Sequence, residues 1–121
     1  MKAFVKVMKA LSDPNRVKIV KLLQKRTLCV CELTEALQLA QPTVSKHLRV
    51  LEDAGLVQSL KSEKWVDYSI ADGGDTPYAA CLLGNLRHWL DADEEITSLL
   101  ERLPEIRREV ICNRKFDPSS I

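Results

Sequence analysis

The apolar residues of the N-terminal half recur at the three- and four-residue spacing of helices that bury one face. A first stripe consists of Phe4, Val7, Met8 and Leu11. Ser12-Asp13-Pro14-Asn15 interrupts it, because Ser or Asp can cap a helix and Pro fits a first helical turn. A second helix follows, with its apolar residues at Val17, Ile19, Val20, Leu22 and Leu23.

Two more short helices are predicted after a polar break at residues 25–27. Their apolar positions are Val30, Leu33 and Leu37, then Val44, Leu48 and Leu51. The second of them opens at Gln41-Pro42-Thr43, and Gly55 follows it in the manner of a helix C-cap. Two short helices joined by a tight turn predict a helix-turn-helix over about residues 29–54.

The next segment has the composition of a β-hairpin. Residues 56–60 and 65–70 are rich in strand formers and enclose a polar turn at residues 61–64. A hairpin directly after a helix-turn-helix predicts the wing of a winged helix, here over about residues 56–70. Lys61 and Lys64 lie at its expected tip.

The C-terminal third is predicted to be one long helix. It follows a break at Gly73-Gly74, extends from about residue 77 to about Cys112, and is expected to be kinked or split at Pro104. It has more apolar surface than a small domain needs, so we expect it to pair with the N-terminal helix in a dimer interface. The expected dimerisation helices are residues 1–12 and 77–112 of a single domain that spans residues 1–121.

Composition agrees with a mainly α fold that carries a small β-hairpin. The 121 residues are 45% hydrophobic, 5% aromatic and 29% charged, which disfavours an all-β fold. No apolar run is long enough to span a bilayer and none resembles a secretion signal, so we expect a cytoplasmic protein without a membrane partner. The net charge is only +1, but eight basic residues and one acid precede residue 27. We therefore expect basic surface at the front of the chain.

The helix that opens at Gln41 is the predicted DNA-binding element. Its residues off the apolar stripe offer amide, hydroxyl and cationic groups, which read bases or hold phosphates. They are Gln41, Thr43, Ser45, Lys46, His47 and Arg49. A solvated helix face is the alternative interpretation, but the wing lysines that follow, Lys61 and Lys64, favour DNA. A winged helix that binds only protein is disfavoured by the same polar face and by the basic first segment.

The chain resembles the ArsR/SmtB family of metal-sensing repressors. Four segments carry the resemblance: residues 10–16 (ALSDPNR), 41–48 (QPTVSKHL), 54–57 (AGLV) and 65–68 (WVDY). The resemblance implies a homodimer that binds double-stranded operator DNA without any cofactor and releases it when a metal or metalloid binds.

A pair of cysteines stands where the first helix of the helix-turn-helix begins. Cys29 and Glu32 occupy the N-cap and N3 places of a capping box, although a thiol is a poor cap. Residues two apart on a regular helix, such as Cys29 and Cys31, point about 200° away from each other. One soft ion can bind both thiols only if it deforms the helix start or if that start is already frayed. We hypothesise that this shifts the Gln41 helix and weakens operator binding.

The segment Leu28-Cys29-Val30-Cys31-Glu32-Leu33 is similar to the arsenite-sensing branch of the family. This similarity implies that trivalent arsenic or antimony is the inducer and that Cys29 and Cys31 bind it. Thr34 stands where that branch can have a third cysteine, so Cys112 or Cys81 is a candidate third ligand. Cys81, among Ala79, Ala80, Leu82 and Leu83, is expected to be a core residue.

Other triggers and functions remain alternatives at this point. The thiols suit cadmium or lead, methylated trivalent arsenic, or oxidation to a disulfide, and free cysteines also serve as small core residues. His88 is a single imidazole near Asp91 and Asp93, which makes a weak zinc site. The sequence contains no Gly-rich phosphate loop or nucleophile elbow, so we do not expect an enzyme.

Overall fold

The computed structural model describes residues 1–71 and 76–107, and within them the chain is mainly helical with one small sheet. The helices are α1 (Lys2–Ala10), α2 (Pro14–Leu23), α3 (Val30–Leu37), α4 (Gln41–Asp53), α5 (Pro77–Leu86) and α6 (Glu94–Arg102), with a 3₁₀ turn at Leu103–Glu105. The strands are β1 (Leu28–Cys29), β2 (Val57–Ser62) and β3 (Trp65–Ile70). This confirms the predicted winged helix-turn-helix. None of the helices in the described ranges is long and apolar enough to cross a membrane.

The core lies where α2, α3 and α4 meet under the sheet. Its largest fully buried side chains are Val7, Ile19, Val20, Leu22, Leu28, Leu33, Val44, Leu48, Leu51 and Leu56. Most of these are the positions of the predicted apolar stripes. The helical periodicity therefore predicted the core well, because burial of one helix face is what the periodicity encodes.

Local signals at the ends of the helices explain the helix-turn-helix geometry. The Asp13 carboxylate caps α2 by accepting hydrogen bonds from the backbone N–H groups of Asn15 (2.8 Å) and Arg16 (3.3 Å). Gln38 adopts a left-handed conformation (φ 56°, ψ 44°) and ends α3. Only residues 38–40 then separate α3 from α4. Gly55, with φ 80°, turns the chain from α4 into the wing.

The sheet has one more strand than the predicted hairpin. The strand order is β1-β3-β2, and both neighbouring pairs are antiparallel. In the added pair, Leu28 lies opposite Tyr68 and Cys29 lies opposite Asp67. A strand of two residues is too short to show a period of two, which is why the sequence pattern missed it. It joins the start of α3 directly to the wing.

The prediction of one long C-terminal helix over 77–112 is wrong. The chain leaves helical geometry after Leu86, Leu90 takes a positive φ of 68°, and a new helix begins at Glu94. Asp93 caps that new helix by accepting a hydrogen bond from the N–H of Ile96 (3.1 Å). Pro104 lies in the 3₁₀ turn that follows the end of α6. The last part of the predicted helix, with Cys112, lies outside the described residues.

Lys21 of α2 holds this break in place. Its ammonium donates hydrogen bonds to the carbonyl oxygens of Leu86 (2.7 Å) and Trp89 (2.9 Å) and to a carboxylate oxygen of Asp91 (3.2 Å). The Lys21 side chain is only 3% exposed. A cation at the C-terminal end of a helix satisfies carbonyls that lack helical partners and is favoured by the helix dipole. Lys21 thus fixes both where α5 ends and how the chain turns toward α6.

Candidate DNA-binding surface and thiol pair

Helix α4 presents the predicted DNA-binding residues opposite its buried face. Its apolar stripe is fully buried, and Pro42 occupies its first turn. Of the six polar residues, Gln41, Thr43, Lys46 and Arg49 are exposed, whereas Ser45 and His47 are half-buried. The structure therefore brings all six onto one helix, with two of them partly shielded by neighbouring elements.

The wing is attached to the second half of α4. The hydroxyl of Ser59 in β2 donates a hydrogen bond to a carboxylate oxygen of Glu52 at 2.7 Å. Tyr68, opposite Ser59 in β3, is affected by the same region: burial raises the pKa of its hydroxyl, Glu52 raises it further, and Arg49 lowers it. The wing and α4 consequently form one packed unit.

The two wing lysines occupy different positions. Lys61 is a strand residue opposite Val66, and Lys64 lies in the turn between the strands. The ammonium of Lys64 lies 4.8 Å from the centre of the Trp65 ring, a distance at which a cation is attracted to an aromatic face. Both lysines are exposed, so the tip of the wing offers two cations to a partner.

Cys29 belongs to the sheet and also begins α3. Its backbone is extended (φ −90°, ψ 170°), and it is the N-cap residue of the helix. The predicted capping box is present, and in it the carboxylate of Glu32 accepts a hydrogen bond from the N–H of Cys29 at 3.0 Å. The side chain of Cys29 is buried, with 1% exposure. Because Cys29 precedes the helix, the angle of about 200° expected between two side chains on a regular helix does not describe Cys29 and Cys31.

Glu32 links the thiol pair to the C-terminal part of the chain. Its second carboxylate oxygen lies 3.2 Å from the guanidinium of Arg26, and the side chain of Glu32 is 8% exposed. The same guanidinium nitrogen of Arg26 donates a hydrogen bond to the carbonyl oxygen of Ile106. The sequence pattern of residues 25–27 predicts only a break between helices, and nothing in it indicates this pairing.

Cys31 lies in the first turn of α3 and is half-buried against the core. The hydroxyl of Thr34, at the position of the third cysteine in the arsenite-sensing branch, donates a hydrogen bond to the carbonyl oxygen of Cys31 at 2.8 Å. Thr34 is itself buried, so it fills space beneath the first turn of the helix.

Cys81 is not the core residue that the sequence suggested. It lies exposed on α5, where the amide nitrogen of Asn85 is 3.7 Å from its sulfur. The reason is that α5 buries Ala79, Leu83 and Leu86, and Cys81 falls on the other side of that stripe. In the described part of the chain, no three His, Cys, Asp or Glu side chains are grouped closely enough to hold a metal ion. Within the described part of one chain, Cys81 therefore does not complete a metal site with Cys29 and Cys31.

Exposed apolar residues lie along α1, at the start of α5 and in the turn that follows α5. The rings of Phe4 and Tyr78 meet edge to face with their centroids 5.4 Å apart. Each residue nevertheless leaves part of its surface exposed, 39% for Phe4 and 40% for Tyr78. Met8, Trp89 and Leu90 are exposed to a similar degree, between 42% and 51%. Contiguous exposed apolar surface of this kind marks an interaction site.

Comparison with known proteins identifies the family. Residues 13–59 match the description "bacterial regulatory protein, arsR family". An uncharacterized HTH-type transcriptional regulator of Methanocaldococcus jannaschii is 42% identical over 67 residues, which are 54% of this chain and 75% of that protein. An arsenic resistance transcriptional regulator of Pseudomonas putida is 42% identical over 65 residues, or 53% of this chain and 51% of that protein. A cadmium resistance transcriptional regulatory protein CadC homolog of Staphylococcus aureus is 43% identical over 68 residues, or 55% of this chain and 56% of that protein. The match spans about half the length of the last two relatives.

Solved structures give the same result for the fold. HlyU from Vibrio cholerae superposes with a TM-score of 0.63 at 28% identity, covering 76% of this chain and 95% of that one. The homodimeric winged helix-turn-helix DNA-binding domain of a possible ArsR-family regulator from Mycobacterium bovis gives a TM-score of 0.62 at 28% identity, covering 78% and 82%. The fold therefore defines a winged helix-turn-helix transcriptional regulator. Within that class, the chain belongs to the ArsR/SmtB family of repressors, which are not enzymes.

Proposed function

We propose that this repressor binds operator DNA as a dimer and releases it when trivalent arsenic or antimony binds Cys29 and Cys31. The observation that carries the proposal is the position of Cys29, which pairs with the wing and begins the first helix of the helix-turn-helix. Cys29 therefore lies at the junction between the sheet of the wing and α3, which packs against α4. The arsenic resistance regulator among the relatives supports the choice of inducer.

DNA contact is assigned to α4 and the wing. The N-terminal part of a recognition helix meets base edges and phosphates in the major groove, and a wing reaches the adjacent backbone. The residues assigned to this contact are Gln41, Thr43, Ser45, Lys46, His47, Arg49, Lys61 and Lys64. Each cation that neutralises a phosphate adds about 0.9 to the slope of log affinity against log salt. Replacing Lys61 and Lys64 with Gln lowers that slope, with a smaller effect on sequence preference.

Dimerisation is assigned to the apolar surface formed by α1, the start of α5 and the turn that follows α5. The homodimeric Mycobacterium bovis domain supports a second copy as the occupant. The proposed interface is thus narrower than residues 1–12 and 77–112, because it ends at Leu90 and leaves out α6, whose apolar residues Ile96 and Leu99 are already buried. Sedimentation at micromolar concentration gives a dimer for the intact chain and a monomer for Met8→Asp if this assignment is right.

Release follows from the burial of the thiols. Cys29 is 1% exposed and Cys31 is half-buried, so an ion that binds both must open the first turn of α3. Opening that turn strains the hydrogen bond from Cys29 to Glu32 and the pairing of Cys29 with Asp67. Both losses act on elements packed against α4. Coupling between such sites is commonly about 1 to 3 kcal/mol, or 5- to 150-fold in affinity.

The donor set fits a thiophilic ion in part. Two sulfurs near a helix start suit soft ions, whereas trivalent arsenic forms a third bond. Three sources of that bond are proposed. It is Cys112, which lies outside the described residues, or Cys81, in either case from the partner copy, or it is a small cellular thiol. X-ray absorption of the arsenite-loaded protein counts the sulfurs: three in the wild type and two in the variant of the true third ligand.

The experiment that tests the function is a titration of fluorescent promoter DNA from the protein's own gene, followed by anisotropy. Arsenite, Cd²⁺ and hydrogen peroxide are added separately to the wild type, to Cys29→Ser/Cys31→Ser and to Cys81→Ser, which tests that candidate third ligand on its own. Arsenite should weaken binding of the wild type at least fivefold and leave the double variant unaffected. Serine is a better helix cap than cysteine, so the double variant should keep its fold.

The outcomes separate the alternatives. If arsenite still released DNA from the double variant, Cys29 and Cys31 would be excluded as the sensor. Release by Cd²⁺ but not by arsenite would make the chain a cadmium-responsive repressor, as the Staphylococcus aureus relative suggests. Release by peroxide alone would assign the thiols to oxidation.

A further inference from the structure

Arg16 lies in the first turn of α2, outside the helix-turn-helix, and its guanidinium connects three helices. Its Nε donates a hydrogen bond to the carbonyl oxygen of Ala10 at 2.7 Å, and one terminal nitrogen donates to the carbonyl oxygen of Lys9 at 3.1 Å. The other terminal nitrogen lies 3.3 Å from Nδ1 of His47 in α4. A single side chain thus ties the end of α1 to the recognition helix.

The chemistry of this contact determines the state of the imidazole. Arginine carries only donors and stays charged in proteins, so Nδ1 of His47 must be the acceptor. A ring that accepts at Nδ1 carries its proton on Nε2 and is neutral. His47 therefore retains one N–H donor, on the nitrogen that Arg16 does not contact.

We propose that Arg16 is a positioning residue for DNA binding, which fixes His47 as a neutral Nε2–H donor to an acceptor atom of the operator. This inference rests on the proposed DNA-binding role of α4. Two carbonyls at the end of α1 hold the guanidinium, so its position does not depend on DNA. Without it, the His47 ring can rotate or exchange its proton between the two nitrogens. The half-buried position of His47 fits a side chain held from behind while its other edge meets a ligand.

Lysine cannot take over this role. The fork of the guanidinium bonds two carbonyls and an imidazole in fixed directions, whereas an ammonium is a single point donor on a flexible chain. Arg16→Lys should consequently behave like Arg16→Gln in DNA binding, although it preserves the charge. A purely electrostatic role of Arg16 would instead be retained by lysine.

A double-mutant cycle with Arg16→Gln and His47→Ala tests the coupling. Each single variant should weaken binding of the promoter DNA about tenfold, because each dimer loses one net hydrogen bond per subunit. The double variant should bind no more weakly than His47→Ala, since Arg16 acts through His47. Lys18→Gln removes a cation from the same helix, where it pairs with Glu95 at 3.7 Å, and serves as the charge-matched control.

Nitrogen-15 NMR of the histidine rings at pH 8 gives a readout that fold stability alone does not move. The chain has two histidines, so His88 is an internal reference. His47 should show the pure Nε2–H pattern in the wild type and a mixed tautomer pattern in Arg16→Gln. Additive losses in the cycle, or an unchanged His47 pattern in Arg16→Gln, would overturn the inference. Failure of the wild type itself to bind the promoter would instead refute the proposed DNA contact, while the NMR comparison still tests the Arg16–His47 bond.

Discussion

Replacing Lys21 with methionine tests whether the buried ammonium sets the boundary between α5 and α6. Methionine has a similar length and fills the same space, but it has no hydrogen to donate. The carbonyl oxygens of Leu86 and Trp89 lose a charged donor each, and Asp91 loses its partner. Leu86 lies in the core, so its carbonyl cannot recover full hydration.

The magnitude follows from these contacts. Hydrogen bonds to charged groups contribute about 1.5 to 3 kcal/mol each, so the two carbonyl bonds represent roughly 3 to 6 kcal/mol. The pair with Asp91 adds less than about 1 kcal/mol, because 60% of the Asp91 side chain is exposed. Methionine avoids the several kcal/mol that burying an ammonium costs, which offsets much of the loss. We expect a net destabilisation of about 2 kcal/mol and, at roughly 4 °C per kcal/mol, a Tm lower by about 8 °C.

Urea denaturation followed by circular dichroism measures this effect, with all variants at one protein concentration because the proposed dimerisation would contribute to stability. Lys18→Met is the matched control on the same helix. Its ion pair with Glu95 is 3.7 Å long and its partner is 73% exposed, so it should change stability by less than about 1 kcal/mol. If Lys21→Met is as stable as Lys18→Met, the ammonium does not hold the end of α5.

Two further changes have calculable effects. Asp13→Ala removes the cap of α2 and should lower the free energy of unfolding by about 1 kcal/mol in the same urea assay. Asp13→Asn should retain most of the stability that the cap contributes. Equal stability of the two variants would contradict the cap. The pKa of Tyr68 is raised above its ordinary value of 10.0, chiefly by burial, so the unfolded chain loses this proton at a lower pH than the folded chain does. The stability that this group contributes is complete below about pH 10 and falls as the pH rises further. Between pH 9 and pH 11, Tyr68→Phe should therefore lose less free energy of unfolding than the wild type does. If both lose the same amount, other groups cause the loss.

The fold was predictable where one helix face carries the information. The apolar stripes in α1 to α4 and the caps at Asp13 and Gly55 are local patterns. They predicted the bounds of the helix-turn-helix to within a residue or two. The break after Leu86 depends on Lys21, about 65 residues away in the chain, which no local pattern encodes. A local signal did exist at Asp93, since an acidic cap followed by Glu94 and Glu95 is typical of a helix start.

Charge was harder to interpret than periodicity. The basic residues before residue 27 were expected to form a basic surface, but several of them act inside the fold. Lys21 is buried, Arg16 bonds α1 carbonyls, and Arg26 pairs with Glu32. Sequence position gives the sign of a charge and not its surroundings. The front of the chain therefore contributes less free positive charge than its composition suggests, and the cations of α4 and the wing carry more weight in the proposed DNA contact.

The thiol pair shows how one strand pair alters a mechanism. On a regular helix, Cys29 and Cys31 would face opposite sides, and an ion could act only by unwinding α3. Because Cys29 is extended and lies opposite Asp67, its sulfur leaves the backbone from a strand while the sulfur of Cys31 leaves from a helix. An ion that bound both thiols, as proposed, would pull on the wing as well as on α3. Since the wing is bonded to α4 through Ser59 and Glu52, release of DNA would require a small displacement of one packed unit and no unfolding of the recognition helix.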